Sequence, residues 1–228
     1  MEMNFALQHK RIVVTQADEF MGPAICTMLE RQGAVVHKHF GSLVDVQASE
    51  QLISDAGDVD ILIANLALPA PTTRAHEVSE EEWQEVFNVL VHPLPRLVRA
   101  VLPQMMARKA GKIIVVGSAS ALRGINRAST YSAARGAQLS YIQAIGVELA
   151  PHNIQVNAIA QNFVDNPTYF PPEVQANPRF QERLKREVPL GRLVAAEEDA
   201  AMVAYLCSDA ANCFVGQVFP VAGSWVIR

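Results

Sequence analysis

Short apolar runs and amphipathic stretches alternate along the chain. The apolar runs predict strands at residues 11–15, 34–39, 59–64, 112–116, 154–159 and 217–221. Helical spacing of apolar side chains, with capping, glycine and proline signals at the ends, predicts helices at residues 20–31, 49–56, 79–108, 131–149, 179–187 and 197–207. The segment 162–178 is rich in proline and aromatic residues, and we expect it to be a loop.

The order of these elements indicates the fold class. Strands that are apolar throughout and alternate with helices are typical of a parallel sheet covered on both faces. The chain has 228 residues with no repeat or linker, which suits one domain over residues 1–228. We therefore predict a single-domain, Rossmann-like α/β fold with a doubly wound parallel sheet. Such sheets bind ligands beyond the carboxyl ends of their strands, so we expect chemistry after Val14, Ile63, Val116 and Ile159.

Composition narrows the function classes. The chain carries 19 basic and 23 acidic residues without a basic block, so we expect no nucleic-acid partner. No apolar run approaches the roughly 18 residues of a membrane span. The cysteines Cys26, Cys207 and Cys213 form no CxxC pair, which argues against a disulfide scaffold or a metal site. We expect a cytoplasmic protein that contacts no membrane and holds no metal.

Three polar residues have the spacing of a catalytic group. Ser118 follows a predicted strand, Tyr131 stands thirteen residues later, and Arg135 is four residues further along one helix face. The spacing resembles the short-chain dehydrogenase/reductase superfamily, whose signature has Ser, Tyr and then Lys. Arginine is a permanent cation and can still stabilise a tyrosinate. Its rigid fork does not replace lysine as a ligand of the nicotinamide ribose.

The turn after the first strand lacks the features of a dinucleotide site. The superfamily pattern there is TGxxxGxG, whereas this chain reads TQADEFMG and keeps Gly22 alone of the three glycines. Gln16 and Phe20 carry side chains where bare backbone would approach a pyrophosphate. Asp18 and Glu19 add charge that repels a diphosphate. We therefore predict a domain without a functional dinucleotide site and without a cofactor.

A tyrosinate beside a serine hydroxyl can deprotonate an alcohol. With no hydride acceptor, the alkoxide can displace a leaving group on the adjacent carbon and close an epoxide. Ser118, Tyr131 and Arg135, with an aromatic residue in the broken glycine turn, resemble the halohydrin dehalogenases (haloalcohol dehalogenases), a cofactor-independent family within the superfamily. The turn sequence and the tetrapeptide VHPL at residues 91–94 are most similar to the B-type enzymes.

The resemblance implies a specific reaction and assembly. A carbon–halogen lyase of this kind converts vicinal haloalcohols to epoxides with release of halide and a proton. In reverse, it opens epoxides with halide, azide, cyanide or nitrite. Tyr131 would be the base, Ser118 would bind the substrate oxygen, and Arg135 would stabilise the tyrosinate. The small-molecule substrate and the halide ion would be the ligands of a homotetramer.

The same resemblance implies a halide nest in the space that the nicotinamide would otherwise fill. Ring edges are electropositive and main-chain N–H groups bind anions, so aromatic and loop residues suit this role. The candidates are one aromatic residue of the first turn, the loop after the fifth predicted strand, and two aromatic residues that would close the substrate pocket: Phe20, Gln161, Asn162, Phe163, Val164, Tyr169 and Phe170.

Two other interpretations stay open at this point. One is an NAD(P)-dependent reductase that tolerates a degenerate glycine turn, which micromolar NAD(P)H binding would favour. The other is a catalytically silent member of the superfamily that acts as a binding protein. The intact Ser118, Tyr131 and Arg135 argue against the second interpretation.

Overall fold

The structure, a computed structural model, describes residues 6–227. Its strands are β1 (Arg11–Val14), β2 (Val35–Lys38), β3 (Ile61–Ala64), β4 (Gly111–Ser118), β5 (Ile154–Gln161) and β6 (Val218–Val221). Its helices are α1 (Gly22–Arg31), α2 (Ala48–Ala56), α3 (Glu80–Leu90), α4 (Pro93–Arg108), α5 (Ser129–Leu149), α6 (Pro172–Gln175), α7 (Pro178–Glu187) and α8 (Ala196–Cys207). Among the described residues, no helix is both long and apolar enough to cross a membrane.

The six strands form one parallel sheet in the order β2-β1-β3-β4-β5-β6. The chain moves outward in one direction from β1 to β2 and in the other direction from β3 onward. The strand order therefore reverses between β1 and β3, which is where doubly wound sheets open a ligand crevice. The predicted fold class is confirmed.

Alternate residues of each strand contribute to two cores, one on each face of the sheet. Ile12 and Val14 pack with α1 and α8, whereas Val13 packs on the other face with α2, α4 and α5. Because both faces are covered, the central strands are fully buried and need no polar alternation. This arrangement fixes the carboxyl ends of β3, β4 and β5 beside one another at one edge.

The structure corrects three of the predicted boundaries. The helical region 79–108 is two helices, because α3 ends at Leu90 and Pro93 begins α4. Proline lacks an N–H and suits the first turn of a helix, which is why the break falls there. The first helix begins at Gly22, since Phe20 has a left-handed backbone with φ of 47°. The predicted loop 162–178 contains the short helix α6.

Candidate active site

A cavity of about 320 Å³ lies beyond the carboxyl ends of β4 and β5, under the segment 162–177. All ten residues selected from the sequence line it: Ser118, Tyr131, Arg135, Phe20, Gln161, Asn162, Phe163, Val164, Tyr169 and Phe170. Residues that the sequence did not single out also line it, including Asn65, Ile125 and Arg183. The structure thus brings the predicted catalytic and pocket residues to one place.

Ser118 ends β4 and is held as a hydrogen-bond donor toward the cavity. Its Oγ accepts from the Ser120 amide at 3.2 Å and from the Ser120 hydroxyl at 2.9 Å. The 3₁₀ turn at residues 119–121 places both groups within reach. A hydroxyl has two lone pairs and one proton, so Ser118 keeps its proton for a ligand in the cavity.

Tyr131 and Tyr169 form a pair of phenols across the cavity. Tyr131 lies in the first turn of α5 and is 8% exposed. The Tyr169 hydroxyl accepts from the Ala70 amide at 3.0 Å, which ties the loop after β5 to the loop after β3. The pKa of Tyr169 is raised to about 12, mainly by burial and also by neighbouring Tyr131, while the Ala70 amide and Arg135 act to lower it. Tyr169 therefore remains a neutral phenol at physiological pH.

Arg135 is a buried cation without a carboxylate partner among the residues described. It is 4% exposed, and its guanidinium carbon lies 5.1 Å from the centre of the Tyr131 ring. Its Nη1 donates to the Val116 carbonyl at 3.1 Å and to Gln138 Oε1 at 2.9 Å, and its buried Nε has no partner there. Buried charges are normally paired, so this site favours an anion nearby.

The loop after β5 presents amide groups beside Ser118. Gln161 is paired with Ser118 in the register of β4 and β5, and its Nε2 donates to Asp199 Oδ2. Phe163 has a left-handed backbone with φ of 52°, and its amide donates to Asn162 Oδ1 at 2.9 Å. The Asn162 backbone amide donates to the Val221 carbonyl at 3.1 Å, so the group that this turn can offer to an anion is the side-chain NH₂ of Asn162.

An aromatic wall closes the cavity. The rings of Phe20 and Tyr169 lie 5.5 Å apart, Phe163 and Phe170 are stacked at 6.0 Å, and Phe170 meets Phe180 at 5.4 Å. Pairs at these distances stabilise one another beyond the area that they bury. The wall gives the cavity apolar surface for a small organic substrate.

The residues of the first turn do not fit a nicotinamide dinucleotide. Gln16 and Phe20 have φ of 43° and 47°, a conformation that favours glycine, yet both carry side chains. The Gln16 amide donates to the Ala67 carbonyl at 3.1 Å and accepts from the Ala67 amide at 2.6 Å. Gln16 thereby fills the crevice between the ends of β1 and β3, where a pyrophosphate would need open backbone.

Three of the backbone donors of this turn are also already used. The amides of Ala17, Glu19 and Gly22 donate to carbonyls of His39, Gln16 and Glu19, at 2.9, 3.1 and 2.8 Å. The adjoining cleft is lined by Asp18 and Glu19 and, among the described residues, by no Lys or Arg. An anionic dinucleotide would find fewer free N–H donors here and no basic side chain among the described residues that line the cleft.

Comparison with known proteins places the chain in a family. The family model described as enoyl-(acyl carrier protein) reductase matches residues 5–224. The chain belongs to the short-chain dehydrogenase/reductase superfamily. A 3-oxoacyl-[acyl-carrier-protein] reductase of Pseudomonas aeruginosa is 30% identical over 246 residues, covering 96% of this chain and 98% of the relative. Dehydrogenase/reductase SDR family member 4 of Bos taurus is 32% identical over 189 residues, covering 81% of this chain and 66% of the relative.

Two solved structures with dehalogenase titles are among those similar to this superfamily member. A structure titled dehalogenation enzyme superposes with a TM-score of 0.89 at 31% identity, covering 97% of this chain and all of that one. A halohydrin dehalogenase bound to ethyl (2S)-oxiran-2-ylacetate superposes with a TM-score of 0.87 at 28% identity, covering 95% and 97% of the two chains. The resemblance stated from the motifs is thus confirmed.

The sequence did not identify residues that hold the site in place through hydrogen bonds. Asn65 donates to the carbonyls of Gln16 at 2.9 Å and Glu19 at 3.2 Å, which holds the first turn in shape. Gln138 holds Arg135 and donates to the carbonyl of Leu90. Gln138 stands three residues after Arg135 on α5, a spacing that could have suggested contact. Asn65 directly follows β3, where the fold places ligand-binding residues.

Proposed function

We propose that this protein is a halohydrin dehalogenase that converts vicinal haloalcohols to epoxides without a cofactor. The observation that carries the proposal is the buried Arg135 guanidinium against the Tyr131 ring, in a cavity whose dinucleotide turn is filled by side chains. A permanent cation without a carboxylate partner among the described residues stabilises an anionic phenolate beside it. The similarity to the halohydrin dehalogenase structures supports the same reading.

The chemistry assigns one step to each polar group. Tyrosinate at Tyr131 takes the proton of the substrate hydroxyl. The resulting alkoxide attacks the adjacent carbon from the side opposite the halogen, and the halide leaves with the electron pair of the broken bond. Ser118 donates a hydrogen bond to the substrate oxygen and fixes its direction of attack. Positioning of this kind can contribute several kcal/mol to an intramolecular displacement.

The halide leaves into the part of the cavity lined by Phe20 and the loop after β5. There the edges of the Phe20 and Phe163 rings and the side-chain NH₂ group of Asn162 replace part of its water shell. Anions such as azide, cyanide and nitrite fit the same site in the reverse reaction. A homotetramer in the cytoplasm remains our prediction for assembly and location.

The test is halide and proton release from 1-chloro- or 1-bromo-2-propanol in the absence of nucleotide. We expect wild-type activity, with loss of at least a hundredfold in kcat for Tyr131→Phe, since general-base contributions are about 10²–10⁴. Ser118→Ala should lose activity as well. Arg135→Lys should shift the pH profile to more alkaline values, because a lysine ammonium cannot reproduce the planar guanidinium beside the Tyr131 ring and would stabilise the tyrosinate less.

Two results would contradict the proposal. Halide release that persists in Tyr131→Phe would exclude the phenol as base. Micromolar binding of NADH, followed by fluorescence and accompanied by carbonyl reduction, would favour the reductase alternative instead. The control variant is Glu197→Gln, which changes an exposed residue of α8. It should leave all rates within twofold because Glu197 lies outside the cavity.

A further inference from the structure

A buried carboxyl group lies directly behind the cavity wall. Asp199, in the first turn of α8, is fully buried, and its Oδ2 accepts a hydrogen bond from Gln161 Nε2 at 2.5 Å. Its Oδ1 is buried and has no partner among the described residues. The Gln161 hydrogen bond spans 38 positions of the sequence, so the packing of α8 on the sheet creates it.

The surroundings of Asp199 favour the protonated, neutral form of its carboxyl group. A buried carboxylate with one neutral donor and an unpartnered oxygen is costly. Burial raises the pKa of Asp199 to about 7, and the Gln161 hydrogen bond lowers it less. Around α8, the titratable side chains are Cys26 on α1, Lys112 on β4, and Glu197, Glu198, Tyr205 and Cys207 on α8 itself. None of these contributes to the shift, whose causes are burial and Gln161.

Gln161 connects this acid to the cavity. It is the last residue of β5 and lines the cavity beside Ser118, while its side chain reaches Asp199. A glutamine amide carries a donor end and an acceptor end. If Asp199 is a carboxylate, it can only accept, so the NH₂ group of Gln161 must donate to it. If Asp199 is an acid, its O–H can donate to the amide oxygen, and the NH₂ end can then turn to the cavity.

We propose that Asp199 is a positioning residue for the anion site, and that its protonation turns the NH₂ end of Gln161 toward a bound halide. The inference rests on the proposed function for the identity of the anion. The halide itself favours the neutral form, because two negative charges near one amide repel each other. Halide binding and proton uptake by Asp199 are therefore coupled, and the acid form of the protein is the one that binds halide well.

The test is calorimetric titration with bromide between pH 6 and pH 8.5, in two buffers of different ionisation enthalpy. For wild type we expect the dissociation constant to rise about tenfold from pH 6 to pH 8, with uptake of up to one proton per bromide at pH 8. Asp199→Asn resembles the neutral acid, so it should keep the pH 6 affinity across the range without proton uptake. Gln161→Leu should bind bromide weakly already at pH 6.

Two control variants separate Asp199 from other groups. Glu197→Gln removes an exposed carboxylate two residues away and should retain the wild-type pH dependence. Tyr131→Phe removes the phenol that could repel bromide at high pH, and it should retain that dependence too. The other charged side chains at the cavity are Arg135 and Arg183, and Tyr169 stays neutral between pH 6 and pH 8.5 because its pKa is raised to about 12.

The outcomes distinguish this inference from the proposed function. A pH dependence that survives unchanged in Asp199→Asn would overturn the role of Asp199 while leaving the dehalogenase proposal intact. A wild-type affinity for bromide that does not vary with pH would also overturn the role of Asp199 and leave the dehalogenase proposal intact. Absence of bromide binding by wild type at pH 6 would overturn both.

Discussion

The Ser118 hydroxyl is directed by a single neighbour. Ser120 supplies both hydrogen bonds that Ser118 Oγ accepts, and both residues are buried. Without the Ser120 hydroxyl, Ser118 could turn its own proton to other acceptors. Ser120 is thus a positioning residue, because it acts on the substrate through Ser118.

We expect Ser120→Ala to lower kcat/KM for haloalcohol about three- to tenfold, with little effect on stability. One neutral hydrogen bond contributes about 0.5–1.5 kcal/mol, and the Ser120 backbone amide is still present to direct Ser118. Initial rates of halide release measure the effect. The expected loss is smaller than that of Ser118→Ala, which removes the group that touches the substrate.

Ser132→Ala is the matched control for Ser120→Ala, because Ser132 lies next to Tyr131 as Ser120 lies close to Ser118. Ser132 follows Tyr131, and its buried Oγ has no partner within the described part of the chain. Its removal should leave kcat/KM within twofold. Equal losses in the two alanine variants would mean that the effect comes from general loosening of the site, which would contradict the role given to Ser120.

At the scale of elements, the turn between β1 and α1 determines what the cavity can bind. Its shape depends on close contact between Gly22 and the backbone of residues 16–17. A Cβ at Gly22 would stand 2.5 Å from the Gln16 carbonyl oxygen and 2.7 Å from Ala17 backbone atoms. Those atoms belong to backbone that is hydrogen-bonded on both sides, so they cannot move away cheaply.

Gly22→Ala should therefore lower the free energy of unfolding by about 1–3 kcal/mol, the usual cost of overpacking. Urea denaturation followed by circular dichroism measures this change. Activity should fall as well, since a displaced turn moves Phe20 away from Tyr169. Gly124→Ala is the control, because a Cβ there meets no atom within 4 Å. A difference below 0.5 kcal/mol between the two variants would contradict the close packing.

Local patterns predicted the elements and the catalytic spacing, and they missed features that depend on distant contacts. The apolar runs identified the six described strands. The inner strands β3, β4 and β5 are buried on both faces, whereas the edge strands β2 and β6 are exposed or half-buried and were recognised by their β-branched and aromatic residues. The step from Ser118 to Tyr131 identified the cavity because a strand end and a helix start meet there. Gln16 could be recognised as misplaced for a dinucleotide, but its bonds to Ala67 span 51 positions and have no local signal. Asp199 looked like any acidic residue near a helix start.

At the scale of the whole molecule, the sheet has a core on each face, and one of these cores contains a buried carboxyl group. The face covered by α1 and α8 encloses Asp199, and Gln161 at the end of β5 connects this carboxyl group to the cavity. Relative to the unfolded chain, a carboxyl group there costs stability at neutral pH, because it must either take up a proton or be buried as an ion. A group that costs stability and contacts the cavity wall is typical of a functional site, where proteins tolerate such costs.

Folding should therefore become less favourable as the pH rises through 7. The pKa of Asp199 is about 7 in the folded protein against 3.8 in the unfolded chain, so the folded state binds more protons between these values. Stability from this group is complete below about pH 4 and is lost progressively up to pH 7 and above.

Asp199→Asn removes the ionisation and should raise the free energy of unfolding at pH 8 by about 2–4 kcal/mol. At pH 5 the two proteins should differ much less. Urea denaturation at both pH values measures the difference, with Glu197→Gln as the exposed control. A variant less stable than wild type at pH 8 would mean that the carboxylate is stabilised in the folded protein.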